Sequence, residues 1–465
     1  MRFSTYLDSQ RQNARELVEA LSGDFAYVGV LGTDVRQTVV RADKKMSVVR
    51  DGNGECGFVV KLHDGRAFYE YSTDDISGDK KALAEKIKKE TALSASLAEG
   101  AIVSDPVPEE ELKRDFIRES DFDEYSDPEL LGKCREISEK VLAMDEKILN
   151  AIVMVRPYTV SKLFVSKKRE LSQCYGWGNG FILIAYADGK MVQTRHINGF
   201  ANIGEILSDL EKHIAEPLEL ARHLVKAQPI EPGVYDVITD SSISGLIAHE
   251  AFGHGVEMDQ FVKDRALAKQ FVGKYVASPI TNMRDGAAAA VSAASYFFDD
   301  DGVLAHDTQI IKDGVLVAGL SDLASAAQLG VAPSGNGRRD SYKRKAYSRM
   351  TNTFFETGKD KLEDMIKSVK HGYMLFQTNN GMEDPKNWQI QCTAEYGIEI
   401  VDGRLTDNYV APVVMSGSVP ELLKSISMVS DEKEIHGSGM CGKGYKEWVN
   451  VSDGGPALKV RVKLG

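Results

Sequence analysis

The sequence has no long apolar run, few cysteines and no excess of basic residues, and each lack narrows the field. No stretch approaches the roughly 18 consecutive apolar residues of a membrane span; the Ala-rich run from Gly286 to Ala294 is too short and too small-sided. The opening residues, Met1 to Gln12, contain no apolar core segment, so no secretory signal is expected and the cytoplasm is the default location. Five cysteines in 465 residues (Cys56, Cys134, Cys174, Cys392 and Cys441) stand singly and odd in number. That suits reduced thiols better than a disulfide framework. With 69 acidic and 57 basic residues the formal net charge is -12, which argues against a nucleic-acid-binding protein. Short basic clusters such as Lys343-Arg344-Lys345 read as local features.

What is present is an ordinary soluble composition, 43% hydrophobic and 27% charged, long enough for about two to four domains. An apolar stripe at Leu7, Ala14, Leu17, Val18 and Leu21 predicts a helix over 4–22. Runs at 27–31, 37–41, 56–62 and 66–71, parted by Gly and Asp turns, predict strands, and 80–98 returns to helix. Residues 106–127 are acidic and carry little periodicity, so a surface loop with one helical turn is expected. Ser126-Asp127-Pro128-Glu129 has the cap, proline and acidic first turn of a helix start. Strands follow at 151–155, 161–165, 180–187 and 191–196, then a helix over 203–226. Helix, strands and helix thus occur twice, a weak internal repetition. Gln228 to Gly233, with two prolines, marks the best domain boundary. The expected fold is α+β, with an N-terminal helix-and-strand domain at 1–228 and a strand-rich domain at 229–465. In the second, 234–239 reads as a strand, and the last third as short strands alternating with turns.

The chemistry concentrates in Ile243 to Asp259, ISGLIAHEAFGHGVEMD. Two imidazoles and a carboxylate on one helical segment are the usual parts of a zinc hydrolase site. His249 and His254 are five apart, however. On a regular helix four residues leave two rings roughly 40° apart, whereas five leave roughly 140°. Gly253 and Gly255 flank His254 and permit a wider turn, so a π-type bulge or a helix end near Gly253 is expected. The plain alternative is a buried amphipathic helix with incidental histidines.

A protein zinc site normally has three or four protein ligands. Glu257, Asp259, His436 and Cys441 are candidates for the third. Cys441 sits in GSGMCGKG, where glycines let the backbone approach closely; a lone cysteine is more commonly a small core residue. The same segment fits a GxGxxG pattern at Gly437, Gly439 and Gly442, and most of a phosphate loop. Position 444 is Gly, with no Ser or Thr for magnesium and no helix-forming run after it, so a nucleotide site is rejected. Two other readings stand beside the metallohydrolase. Cys441 could be the nucleophile of a metal-free cysteine hydrolase, activated by His436 or His249. The chain could also be a non-catalytic scaffold or regulatory subunit holding a structural metal.

HEAFGHGVEMD, Asp299 to Gly302, SGNGRRDSY at 334–342, RMTN at 349–352 and GMCGKG at 439–444 resemble, in the same order, the TldD/PmbA family, the modulators of DNA gyrase. The resemblance covers most of the C-terminal half. The histidine motif resembles the TldD branch, whose members are metallopeptidases; the PmbA branch lacks it. The resemblance implies Zn2+ held by His249, His254 and Cys441, with Glu250 as the catalytic carboxylate. On this reading Glu250 takes a proton as water attacks a peptide carbonyl and delivers it to the leaving amine. Asn336, Arg338, Arg339 and Arg349 are candidates for gripping the substrate or stabilising the oxyanion; their plain alternative is pairing with acids such as Asp299 to Asp301. A homodimer, or a heterodimer with a PmbA-like subunit, is also implied, closing around the site and admitting unfolded or short peptides. One departure is Tyr445-Lys446-Glu447-Trp448, where the family usually has a polar residue, a Gly-Gln pair and a Val-Pro segment. It implies an altered surface beside Cys441.

Overall fold

A computed structural model describes residues 2–97, 102–444 and 447–465. Residue 98 of the predicted helix, and Tyr445 and Lys446 of the departing segment, lie outside the described residues. The fold is α+β, built on two large sheets.

The first sheet has eight strands: β1 (Tyr27–Ala42), β2 (Ser47–Asp51), β3 (Glu55–His63), β4 (Phe68–Thr73), β5 (Leu112–Arg118), β6 (Ile148–Ser166), β7 (Arg169–Asp188) and β8 (Lys190–Ala201). Its central order is β4-β3-β1-β6-β7-β5, with β2 beside β1 and β8 beside β7. Helices α1 (Thr5–Ser9), α2 (Arg11–Leu21), α3 (Lys80–Leu97), α4 (Asp127–Leu142), α5 (Ile203–Lys212) and α6 (Glu216–Leu224) accompany it. Side chains alternate across a strand. Val28 and Val30 therefore share a face with Val40 and Ala42. At one end this face is covered by α1–α3 through Leu7, Leu17 and Ile87, and at the other by α4–α6 through Ile137, Ile206 and Leu210. Leu31 and Val35 point the other way, against Phe298, Val303 and Tyr296 of the second half. The apparent repetition is thus two helical groups on one continuous sheet.

Several expectations change in detail. The runs at 27–31 and 37–41 form one strand, because Gly32 is not a turn: a Cβ there would lie 2.8 Å from Phe58 and 3.0 Å from Leu7. The runs at 151–155 and 161–165 likewise merge in β6. The acidic stretch holds a strand, β5, paired in parallel with β7, and a short helical turn at Phe122–Glu124. Tertiary pairing, with Phe116 stacked on Phe297, overrides its weak periodicity. The helix start expected at Ser126 is present as α4, where Ser126 and Glu129 form a capping box. The helix predicted over 203–226 is two, since Pro217 takes the first turn of α6.

The second sheet runs from β9 (Gly233–Thr239) through β10 (Met283–Asp285), β11 (Thr308–Lys312) and β12 (Val315–Leu316). A separate two-stranded ladder, β13 (Gly337–Arg338) with β14 (Tyr347–Ser348), precedes β15 (Asn352–Phe355). Then come β16 (His371–Asp384), β17 (Gln389–Val401), β18 (Arg404–Val410), β19 (Val413–Ser418), β20 (Met428–Lys443) and β21 (Glu447–Leu464). β9 pairs with β16 and β21, which places the histidine segment following it over the long β16–β17 and β20–β21 hairpins. The hairpin strands are longer than expected because several glycines that read as turns lie inside them. A Cβ on Gly454, for example, would sit 2.1 Å from the Glu434 carbonyl oxygen.

The halves are clasped by buried charge. The Asp299-Asp300-Asp301-Gly302 loop reaches the first sheet, where Lys61 pairs with Asp301 and Glu70, and Lys162 with Asp300. Arg339 pairs with Glu70 at 3.0 Å. Burial disfavours the Glu70 carboxylate, but Arg339 and Lys61 outweigh it and hold the group at about 2 instead of 4.5. A depressed carboxylate contributes stability above its unfolded value that is lost as pH falls through the folded one. At 1.36 kcal/mol per unit the contribution is about 3 kcal/mol. Urea unfolding is therefore expected to show stability falling as pH drops from about 4.5 toward 2, with Glu70→Gln less stable at neutral pH and flatter over that window. An unchanged neutral stability in the variant would contradict the clasp.

Candidate metal centre

Asp240 caps helix α7 (Ser241–Leu246) by accepting the Ile243 N–H at 2.7 Å, and also accepts the Gln377 N–H at 3.0 Å. The helix start is thereby pinned to β16. Ser244 donates to the Pro456 carbonyl at 2.6 Å, and a Cβ on Gly245 would lie 2.4 Å from the Gly454 nitrogen. The segment then widens into a π-helical turn over Ile247–Gly253, and the His254 N–H donates to the His249 carbonyl, five residues back. Gly253 is required there, since a Cβ would fall 2.0 Å from Met350 Sδ. A short 3-10 turn, His254–Val256, follows.

This geometry turns both rings to one side. Their centroids are 5.1 Å apart, at 89°, and Cys441 of β20 meets them. One donor atom each of His249, His254 and Cys441 lies within 4.8 Å of the others; Cys441 Sγ is 3.5 Å from His254 Nε2. His249 and Cys441 are buried and His254 nearly so. Burial opposes a charge on Cys441, but His254 and then His249 bring its thiol well below the ordinary value. Reciprocally, His249 is pushed up to about 9 against burial, chiefly by Cys441. Protons and a metal would compete for one set of donors.

The residues fit an ion of the zinc class. His249 Nδ1 is buried with no hydrogen-bond partner. His254 Nδ1 is held by Glu257 at 3.1 Å, which leaves its Nε2 facing the sulfur. Two imidazoles and a thiolate are favoured zinc donors, and a carboxylate behind a ligating histidine fixes its orientation. Glu257 is itself held by Lys443 at 2.9 Å, with Arg349 Nε 3.9 Å away. Glu250 follows His249 and lodges against Gly381, where a Cβ would lie 2.5 Å from its Cγ. Among the described residues, His196, Asp209 and His213 form the other group with metal-donor spacing.

Of the other third-ligand candidates, Glu257 stands behind His254, Asp259 pairs with Lys443 at 2.6 Å, and His436 bonds Ser241 at 2.8 Å. The suggested substrate-gripping residues turn inward. Asn336, fully buried, donates to Asp285 and to the Arg349 carbonyl. Arg349, 1% exposed, donates to the Cys441 carbonyl at 2.6 Å. Arg338 donates to the Met350 and Asn450 carbonyls, and Arg339 to Glu70 and the Arg344 carbonyl. All four make framework contacts, while the buried Nε of Arg339 and of Arg349 has no hydrogen-bond partner.

Sequence reasoning passed over Glu383. It lies beneath Gly255, where a Cβ would be 2.9 Å from its Oε1, and neither carboxyl oxygen has a hydrogen-bond partner. Burial pushes it up to about 8 against the pull of His254. No local pattern in Gly381-Met382-Glu383-Asp384 signals this, because the contact is made by packing against the distant turn at Gly255.

The chain matches known proteins in sequence and in fold. Residues 232–463 match the family described as PmbA/TldA metallopeptidase C-terminal domain. A Methanothermobacter thermautotrophicus protein named metalloprotease is 27% identical over 92% of this chain and 93% of its own length. A metalloprotease TldD homolog of Haemophilus influenzae is 34% identical over 49% of this chain, and that alignment spans 47% of its length. The fold is shared with a Thermotoga maritima protein described as a candidate modulator of a DNA gyrase, with TM-score 0.77, 18% identity, 99% of this chain and 100% of that one. It is shared also with TldE of Thermococcus kodakarensis, with TM-score 0.74, 19% identity, 97% of this chain and 100% of that one. The chain belongs to the PmbA/TldD family.

Replacing Glu257 with Gln removes the charge that orients His254. Metal affinity of the purified chain, measured by competition with a chelator, is expected to fall about 10–100-fold. Unchanged affinity would remove Glu257 from the centre.

Proposed function

We propose that this chain is a zinc metallopeptidase that hydrolyses peptide bonds in unfolded or short peptides. The observation that carries this reading is the convergence of His249, His254 and Cys441 beside the half-buried carboxylate of Glu250. Their three donor atoms would hold the ion, and three protein ligands leave a position open, as catalytic zinc sites do. When bound, zinc supplies Lewis acidity that acidifies water and polarises a carbonyl oxygen. The names of the relatives support the class: several are called metalloproteases, and a Saccharolobus solfataricus relative, 28% identical, a zinc metalloprotease TldD homolog.

The chain's own residues carry the proton traffic. Glu250 accepts the proton of the attacking water on a carboxylate oxygen and passes it to the leaving amine nitrogen. Gly381 leaves the room that Glu250 occupies. Glu257 and Lys443 keep His254 in one orientation. We further propose that residues 229–465 form the peptidase unit on the frame of 1–228. We also propose that the chain acts as a dimer, with itself or with a PmbA-like subunit, which would enclose the site. The likeness of its fold to TldE supports such a partnership.

Glu250→Gln is expected to abolish cleavage of a random peptide mixture, read by mass spectrometry, while bound zinc stays at the wild-type level. Chelation should silence the wild type and zinc should restore it. Full activity of a metal-free preparation would turn the assignment toward a cysteine hydrolase using Cys441, whose lowered thiol is the one feature favouring that reading.

Gly381→Ala offers a second check. The added Cβ must displace Glu250 or Leu246, so kcat should fall at least tenfold, the order of a misplaced general base, with zinc content unaltered. Wild-type kcat in this variant would show that Glu250 is not positioned by that contact.

A further inference from the structure

The second donor group lies at the other end of the first sheet. His196 stands on β8, Asp209 on α5 and His213 just past the end of α5, with one donor atom of each within 4.8 Å of the others. We propose that His196, Asp209 and His213 form a second site for a divalent transition-metal ion of the zinc class, with the Glu216 carboxylate behind His196. It is independent of the peptidase reading.

Local structure builds the cluster. Asp209 and His213 are one turn apart on α5, so their side chains share a face. The chain then turns, and Glu216 opens α6. β8 passes beneath this corner and presents His196 to both carboxylates, with Nε2 2.8 Å from Asp209 Oδ2 and Nδ1 3.1 Å from Glu216 Oε2. His213 Nδ1 lies 3.0 Å from Asp209 Oδ1, and also 3.0 Å from the Asp209 carbonyl oxygen; its Nε2 is 3.9 Å from Glu216 Oε1. The two rings face each other at 4.6 Å between centroids, tilted 34°.

His196, Asp209 and His213 present two imidazoles and a carboxylate to one point, and Glu216 lies against the other ring nitrogen of His196. Two imidazoles select against magnesium and calcium, which prefer all-oxygen shells, and favour zinc, cobalt or nickel. The His and Asp side chains keep between 16% and 26% of their surface exposed, which gives an ion a path from solvent.

The position gives the site a structural role. Arg195, the neighbour of His196, pairs with Glu395 and donates to the Thr378 carbonyl at 2.9 Å, both on the second sheet. His223 of α6 stacks on Tyr409 of β18 at 4.4 Å. An ion at the α5–α6 corner would brace the joint between the halves.

Cobalt(II) titration of the chelator-stripped full chain tests this, because a cysteine-containing centre gives a thiolate-to-cobalt charge-transfer band and a His-carboxylate centre does not. Wild type is expected to bind an equivalent that adds no such band. His196→Ala/His213→Ala should lose that equivalent, and the metal-dependent part of its thermal stabilisation. The Cys441 band, where wild type shows one, serves as the fold control. His213→Gln, a milder change, should weaken the same equivalent at least tenfold. The proposal is overturned if wild type binds no cobalt beyond the band-forming equivalent, or if the double variant keeps its full complement. Should the Cys441 centre take no cobalt, the band is missing from wild type, and loss of the remaining equivalent in the variant still decides the question.

Discussion

One backbone hydrogen bond, from the His254 N–H to the His249 carbonyl five residues earlier, sets the geometry on which the centre depends. With ordinary four-residue bonds the rings would diverge by roughly 140° and could not share an ion. The π turn adds the extra residue to a single turn and brings the rings to 5.1 Å. π turns are rare and occur mostly as single-turn insertions at functional sites. Here the surroundings hold it. Asp240 fixes the start of the helix, Gly245 presses on Gly454, and Gly253 admits Met350 Sδ where a side chain would stand. The wide turn is thus kept by packing on all sides, not by the propensity of its own residues.

The same close approaches explain the position of the rest. Because the segment lies almost in contact with the β16–β17 and β20–β21 hairpins, side chains from distant parts of the chain reach it without long loops. Gly381 yields room to Glu250, and Gly255 to Glu383 and Trp388. Behind this face the Asp299–Asp301 loop reaches the first sheet, where Lys61 and Lys162 neutralise charge that would otherwise be costly to bury, and the Arg339 N–H donates to Asp300. The first sheet therefore does more than flank the centre. Gln173 of β7 donates to the Phe298 carbonyl and accepts the Phe297 N–H, so the loop is held by side chain and backbone together.

Much of this was legible in the sequence where local rules decide. The helix start at Ser126, the helical stripe of α2, the widened turn at Gly253 and the strand leading into the histidines all follow from residue type and spacing. What stayed hidden depends on partners far along the chain. The strand at Leu112–Arg118 exists because β7 offers an edge, and the helix after Asn202 divides where Pro217 takes the first turn of α6. Asn336 and Arg349 look like substrate-facing residues in a polar, glycine-rich stretch. Only the fold reveals Asp285 and the Cys441 carbonyl waiting for them. Glu383 carries no local mark at all, since its burial comes from packing under Gly255.

The Cys441-Gly442-Lys443 sequence shows how tightly donor and support are linked. Residues two apart on a strand share a face, so Lys443 follows Cys441 toward the histidine segment and ends on Glu257 and Asp259. Gly442, pointing the other way, lies under the Trp448 ring, where a Cβ would stand 3.0 Å off. One strand therefore supplies both the sulfur and the cation that steadies the carboxylate behind His254.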